Sequence, residues 1–282
     1  MKAYFGPGGN SEAFYQTGKK YTIEAPAWIK EIGLDAYEYE AGNGLSASLD
    51  SLRAIGEKAL EHDIKLSYHA PYFISLSGIV EEKRLNSIKY ISQSLEAANA
   101  LGAKIIVVHT GSAAKISRRE AMNLAADTLI KTLSTVETYG IKIGLETMGK
   151  VNQLGTLDEV IELCKIDCSL VPVVDFGHIN AREMGNAFKT ADDYLRVFDK
   201  IESKLDYNIA KNLHCHFSKI EWTSSGEKKH LTFANNEYGP EFETLIDVIY
   251  KNNFTPTIIC ESAGTQADDA LLMKKYYMEK LK

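Results

Sequence analysis

No apolar run in this 282-residue chain approaches the roughly 20 residues that cross a bilayer as a helix, so a helical membrane span is excluded. The opening Met1-Lys2-Ala3-Tyr4-Phe5-Gly6-Pro7 has too short an apolar stretch for a secretory signal. Cysteine is scarce: Cys164, Cys168, Cys215 and Cys260 are the only four, and none forms a C-x-x-C pair. A chain of this length does not need disulfide staples, so a reduced, cytoplasmic protein is expected. Positive charge is not in excess either. Lys and Arg number 32 against 38 Asp and Glu, a formal charge of −6 that argues against a generally basic nucleic-acid coat but leaves room for a local basic rim. No low-complexity linker or charge block divides the sequence, so residues 1–282 read as one domain, expected to act as a monomer.

What is present is a repeated pattern. Val171-Pro172-Val173-Val174-Asp175-Phe176-Gly177-His178 reads as a buried apolar strand ending in a carboxylate and, three residues on, an imidazole. Eight such short runs occur: 3–5, 36–40, 65–70, 104–110, 142–147, 171–176, 213–218 and 257–261. The segments between them carry apolar residues at helical spacing, as in Ile88, Ile91, Leu95 and Ala98, or Ala125, Leu129, Leu133 and Val136. Gly102 and Gly140 stand where helix C-caps usually fall, and Asp158 and Glu159 favour a helix start. Eight βα units predict a (β/α)8 TIM barrel; an open doubly wound sheet is the alternative.

Six of the seven histidines fall at or after strand ends: His69, His109, His178, His214, His216 and His230. His62, in a helical stretch, reads as a surface residue. Glu146 and Glu261 end apolar runs as Asp175 does. In a barrel these positions converge on the C-terminal mouth, where this fold keeps its active sites. A single His or Glu at a strand end is more often a packed or hydrogen-bonded residue than a ligand; the signal lies in the cluster as a whole. Three carboxylates gathered without partners would raise one another's pKa, and cations are the simplest way to hold them ionised. Imidazole with carboxylate suits Zn²⁺, with Mn²⁺ or Fe²⁺ as alternatives. His214 and His216 share a strand face, so His216 could be a ligand, a neighbour that orients one, or a packed histidine; the second is preferred. Cys215 and Cys260 are expected to face the outer helices, and Cys164 and Cys168 to be ordinary buried thiols.

At these residues the chain resembles the endonuclease IV family and, more broadly, the xylose-isomerase-like barrels. His69 with Tyr72 is similar to that family's His-x-x-Tyr, and His109-Thr110-Gly111 to its strand-four histidine. Leu145-Glu146-Thr147-Met148-Gly149-Lys150 resembles its bridging-glutamate segment, and Asp175-Phe176-Gly177-His178 its Asp-x-x-His. His214 and Glu261 match the ligands of strands seven and eight, and His230 the histidine of an Asp-Arg-His loop. The resemblance implies a trinuclear zinc site. His69, His109 and Glu146 would hold one ion, Glu146, Asp175, His214 and Glu261 a second, and His178 with His230 part of a third. There are departures. The loop aspartate falls on Lys228 in Glu227-Lys228-Lys229-His230, so the third ion lacks a carboxylate unless Glu227 reaches in. The Asn-Asp after the strand-seven histidine is His216-Phe217. Ala41-Gly42-Asn43-Gly44-Leu45 lacks the basic and aromatic residues that grip DNA, and Phe5-Gly6-Pro7-Gly8-Gly9 lacks an early histidine.

The implied activity is metal-dependent hydrolysis of DNA 5′ to abasic sites, with Glu146 and Glu261 as the catalytic carboxylates. Two divalent ions against Glu146, Asp175 and Glu261 leave a formal charge of about +1, which attracts phosphate. Lys228 is expected to supply a fixed positive charge in place of a third ion. Tyr72 is a candidate to stack on substrate, and Lys115, Arg118, Arg119, Lys150, Lys219, Lys228 and Lys229 to form a phosphate-positioning rim. The weak DNA-binding loops keep a second expectation open, a divalent-metal sugar isomerase or epimerase. A third is a barrel that binds metal or nucleic acid without catalysis.

Overall fold

The computed structural model describes residues 2–282. Its strands are β1 (Tyr4–Pro7), β2 (Ala36–Glu40), β3 (Lys65–His69), β4 (Ile105–His109), β5 (Lys142–Glu146), β6 (Leu170–Asp175), β7 (His214–Phe217), β8 (Lys219–Thr223), β9 (Gly226–Leu231) and β10 (Thr257–Cys260). Eight of them form one parallel sheet in the order β1-β10-β7-β6-β5-β4-β3-β2, so each barrel strand lies beside its neighbours in sequence. The ring closes where β1 meets β2. Asp35 N–H donates to Phe5 O at 2.9 Å, Gly9 N–H donates to Glu38 O at 3.0 Å, and Gly8 bridges Glu38. Gly6 is required at this seam, since a Cβ there would lie 1.8 Å from Ala36 O. The eight strands of the expected (β/α)8 barrel are all present, and helices lie between them.

Local sequence explains the alternation. β4 is Ile105-Ile106-Val107-Val108-His109, the apolar run of a strand covered on both faces. Its Ile106 and Val108 point outward against Ile91 and Leu95 of the helix Glu81–Leu101 and Leu129 of the helix Arg118–Thr135. Full burial of each such side chain stabilises the fold by about 1.5–3 kcal/mol. Helix starts are fixed by hydroxyls: Ser48, Ser117 and Thr156 accept from the N–H of Ser51, Glu120 and Glu159. Glu159 completes a capping box with Thr156, as its position predicts. Gly102, at φ +79°, caps the Glu81–Leu101 helix. Gly140 does not cap a helix. The preceding helix ends at Thr135, and Gly140, at φ +70°, forms the turn into β5.

The segment read as a loop after strand seven is an antiparallel hairpin, β8–β9. His230 therefore lies on a strand. All four cysteines are free; Cys215 and Cys260 pack outward against the helices, whereas Cys168, expected to be buried, is exposed. Among the described residues no helix is long and apolar enough to cross a membrane.

Candidate metal centre at the barrel mouth

β3, β4, β5 and β6 end on His69, His109, Glu146 and Asp175, so these side chains reach the mouth at one level. Register aligns them: His109 pairs with Glu146, and Asp175 with His216 on β7. Glu146 is the hub. Its Oε2 lies 3.1 Å from His109 Nε2 and 3.6 Å from His69 Nε2, and its Oε1 lies 3.0 Å from His216 Nδ1 and 3.4 Å from His178 Nδ1. Glu261, just beyond β10, places Oε1 3.2 Å from His216 Nδ1. Three adjoining groups result: His69, His109 and Glu146; Glu146, Asp175, His216 and Glu261; and His178, Glu227 and His230.

Backbone contacts orient the rings. His69 Nδ1–H donates to Ala70 O at 2.8 Å, leaving Nε2 free toward Glu146. His178 Nδ1–H donates to Thr147 O at 2.9 Å, leaving Nε2 3.5 Å from Glu227 Oε2. His230 shares a hydrogen bond with Ser218 Oγ through Nδ1 at 2.8 Å, and its Nε2 faces Glu227 Oε1 at 3.9 Å. The donor set fits divalent cations. Each group combines imidazole nitrogen with carboxylate oxygen, and Glu146 Oε2 and Asp175 Oδ2 are buried with no hydrogen-bond donor.

Burial and neighbouring charges shift the titration of these groups. Burial would raise the Glu146 pKa, but His216, His109 and His178 hold it well below the usual carboxylate range. Burial, reinforced by Glu146 and Asp175, pushes Glu261 well above that range against the pull of His216. Burial would lower His216 and His178, yet surrounding carboxylates lift both well above ordinary histidine. His69 rises to about 10 because Glu40 and Glu146 outweigh its burial. His109 and His230 move down, chiefly through burial.

Three expected placements are corrected. His214 is not at the mouth. It pairs with Val173 and Thr257, two residues below the level of Asp175, and its Nε2 bonds Glu38 Oε2 at 2.9 Å. One pleat repeat is roughly 6.6 Å of strand, so His216 takes the place assigned to His214, rather than orienting it. Lys228 is not at the third group either; it pairs with Glu221 at 2.5 Å on the opposite side of the hairpin. Glu227 is there instead. Glu221 faces Lys229 while Trp222 faces Glu227, so Lys228 is the extra residue of a bulge. The bulge turns Glu227 and His230, three apart in sequence, to the same face.

The rim is the third correction. Arg118 is bound to Glu159 and to the carbonyls of Val151 and Gln153. Lys219 is buried against Glu241, and Lys228 and Lys229 both pair with Glu221. Lys150 is the rim cation that lines the mouth cavity of about 840 Å³, together with Glu40, Tyr72 and Glu261. Tyr72 is half exposed and stacks on His109 with ring centres 5.3 Å apart. Gly42 makes room for it, since a Cβ there would lie 2.1 Å from the tyrosine ring.

Two acids of β2, the buried Glu38 and the partly exposed Glu40 at the cavity wall, were not singled out from the sequence. The signal was available: Ala36-Tyr37-Glu38-Tyr39-Glu40 alternates, and a strand buried on both faces must point its glutamates along the barrel axis.

Together these features define a (β/α)8 barrel whose C-terminal mouth gathers histidines and carboxylates that could hold cations. The chain belongs to the xylose isomerase-like TIM barrel family, whose sequence profile matches residues 26–276. An uncharacterized protein of Methanocaldococcus jannaschii is 31% identical over 250 residues, 88% of this chain and 89% of that protein. A probable endonuclease 4 of Acholeplasma laidlawii is 26% identical over 240 residues, 78% of this chain and 80% of that protein. Among solved structures, endonuclease IV of Thermus thermophilus superposes with a TM-score of 0.70 at 20% identity, covering 99% of this chain and 98% of that one. A D-tagatose 3-epimerase-like protein superposes with a TM-score of 0.71 at 22% identity, covering 99% and 97%. At these identities the structural likeness concerns the fold.

Proposed function

We propose that this protein is a divalent-cation-dependent phosphodiesterase that cleaves DNA 5′ to abasic sites, with zinc as the resident ion. The observation that carries the reading is the third donor group, His178, Glu227 and His230, built beside two groups that share Glu146. Polarising one hydroxy-ketone needs one cation. In-line displacement at phosphorus develops charge on attacking, leaving and non-bridging oxygens, which several adjoining sites can meet. Bound ions would supply that Lewis acidity and ease the deprotonation of water.

The chain's own residues do the rest. Glu146 offers one oxygen to each of two groups, and Glu261, at the wall of the cavity, orients the attacking water. Tyr72 offers an exposed ring face to the sugar, and Lys150 holds a phosphate by charge. The endonuclease 4 relative supports this reading.

A second reading, a sugar epimerase, is favoured by one observation. Most of the expected rim cations are neutralised within the protein, which leaves little to grip a DNA backbone. The two separate on a duplex carrying one tetrahydrofuran abasic analogue, assayed beside a ketose panel. Incision 5′ to the analogue that a chelator abolishes is the expected result. Ketose epimerisation with no incision would reverse the assignment.

A further inference from the structure

Beneath the mouth, along the barrel axis, lies a column of groups that the cation site does not itself use. Glu38 enters the axis from β2 and is fully buried. Its Oε1 lies 2.8 Å from His216 Nε2, and its Oε2 accepts from His214 Nε2 at 2.9 Å. The other nitrogen of His216, Nδ1, faces Glu146 and Glu261 at 3.0 and 3.2 Å. His216 is thus held between carboxylates above and below. We propose that Glu38 is the positioning residue of the mouth centre, and that His214 serves Glu38 rather than a cation. The inference rests on the cation-binding reading of the mouth.

A neutral imidazole has a single N–H, and an ionised carboxylate can only accept. With the hydrogen on Nδ1, the Nε2 lone pair would face a carboxylate oxygen at 2.8 Å inside a dry barrel. His216 Nδ1 makes its hydrogen bond to Glu146 Oε1 at 3.0 Å; with a cation bound at the mouth and the hydrogen on Nε2 against Glu38, the Nδ1 lone pair would instead point into the group formed by Glu146, Asp175 and Glu261. Glu38 Oε1 and His216 Nε2 stand 2.8 Å apart but outside hydrogen-bond geometry, and neither has a hydrogen-bond partner, so each is the group best placed to satisfy the other. His214 completes the device by fixing the second oxygen of Glu38, which keeps the carboxylate plane from turning away.

Glu38, His214 and His216 also form a triad that could hold a cation of its own. Spacing favours a column of direct polar contacts over a shared ion. Ligand atoms of one tetrahedral zinc stand roughly 3.3 Å apart, given bonds of about 2.0–2.1 Å. The two contacts of Glu38, at 2.8 and 2.9 Å, are tighter than that and tighter than the 3.0–3.6 Å contacts of Glu146 at the mouth.

The test is zinc affinity and stoichiometry of the full chain, by competition with a chromophoric chelator. Variants are E38Q, E38A, H214Q and H216Q, each checked for folding by circular dichroism and melting. H216Q should lose an ion equivalent. E38A should bind zinc at that position about 10–100-fold more weakly, with E38Q intermediate because the amide oxygen still accepts the N–H. H214Q should weaken binding in the same direction at unchanged stoichiometry, and the visible spectrum of bound Co²⁺ should shift in E38Q. Folded E38A and E38Q that bind zinc as tightly as wild type would overturn the inference while leaving the mouth reading intact. Loss of a whole equivalent in H214Q would overturn it too, by making His214 a ligand. Should neither Glu38 variant fold, unchanged affinity in H214Q overturns it. A wild-type chain that binds no divalent ion overturns both readings together.

Discussion

Glu227 reaches His178 and His230 because one residue, Lys228, is squeezed out of the β9 ladder. In an unbulged strand, residues three apart face opposite sides, so Glu227 and His230 could not share a cation. Charge removal separates the two residues. E227Q should lose one equivalent of zinc by elemental analysis, whereas K228A should keep the wild-type content, because its ammonium is engaged by Glu221 on the far face. Equal metal content in all three proteins would remove Glu227 from the centre. At Glu146 the effect should be larger. E146Q removes the charge shared by two groups, and should lower incision at least 10³-fold, read from single-turnover rates.

At the scale of elements, the loop from Met148 to Gln153 forms one wall of the cavity and is held from outside by two arginines. Arg182 donates to the carbonyls of Met148, Lys150, Val151 and Gln153 at 2.8–3.2 Å, and Arg118 adds Val151 and Gln153 while gripping Glu159. Hydrogen bonds to a charged donor contribute about 1.5–3 kcal/mol each at most, and they are not additive here because they share one side chain. R182A should therefore cost on the order of 2–3 kcal/mol in urea unfolding. It should also raise KM more than it lowers kcat, since Lys150 rides on that loop. The β1–β2 seam is stricter. G6A drives a methyl group into the Ala36 carbonyl, and neither backbone can yield without opening the ring. It should abolish the cooperative thermal transition, whereas G102A, with open space around its Cβ, should cost only the strain of its left-handed φ.

Across the whole molecule, the axis holds more charge than an apolar barrel core would, and its stability follows from what neutralises it. In the ion-free protein the raised pKa values of His178 and His216 stabilise the fold fully below about 6.5, the ordinary histidine value. That contribution fades as pH climbs through the elevated values. Glu38 and Glu146, held low, stabilise it above about 4.5 and lose that contribution as pH falls through their depressed values. Glu261, pushed up, acts in the opposite direction above about 4.5. Chelator-treated protein should thus melt at progressively lower temperature from pH 6.5 to 9, and zinc should restore the loss, since bound ions replace the departing protons. A melting temperature independent of both pH and zinc would mean that no cation belongs at the mouth.

The amino-acid order by itself determined the eight-unit alternation, because a strand covered on both faces needs an apolar run and its helix needs a periodic one. It also determined that His69, His109, Glu146, Asp175 and Glu261 would stand at strand ends, since each directly terminates such a run. Choosing between His214 and His216 was beyond it. Alternation fixes which face a side chain takes, but height along the axis depends on the stagger of neighbouring strands, which pairs His216 with Asp175. Glu38 meets His214 across 176 positions of sequence only because the ring closes. The Lys228 bulge and the arginines turned onto the Met148–Gln153 loop were likewise decided in three dimensions, where a backbone carbonyl or an opposing strand competes for each side chain.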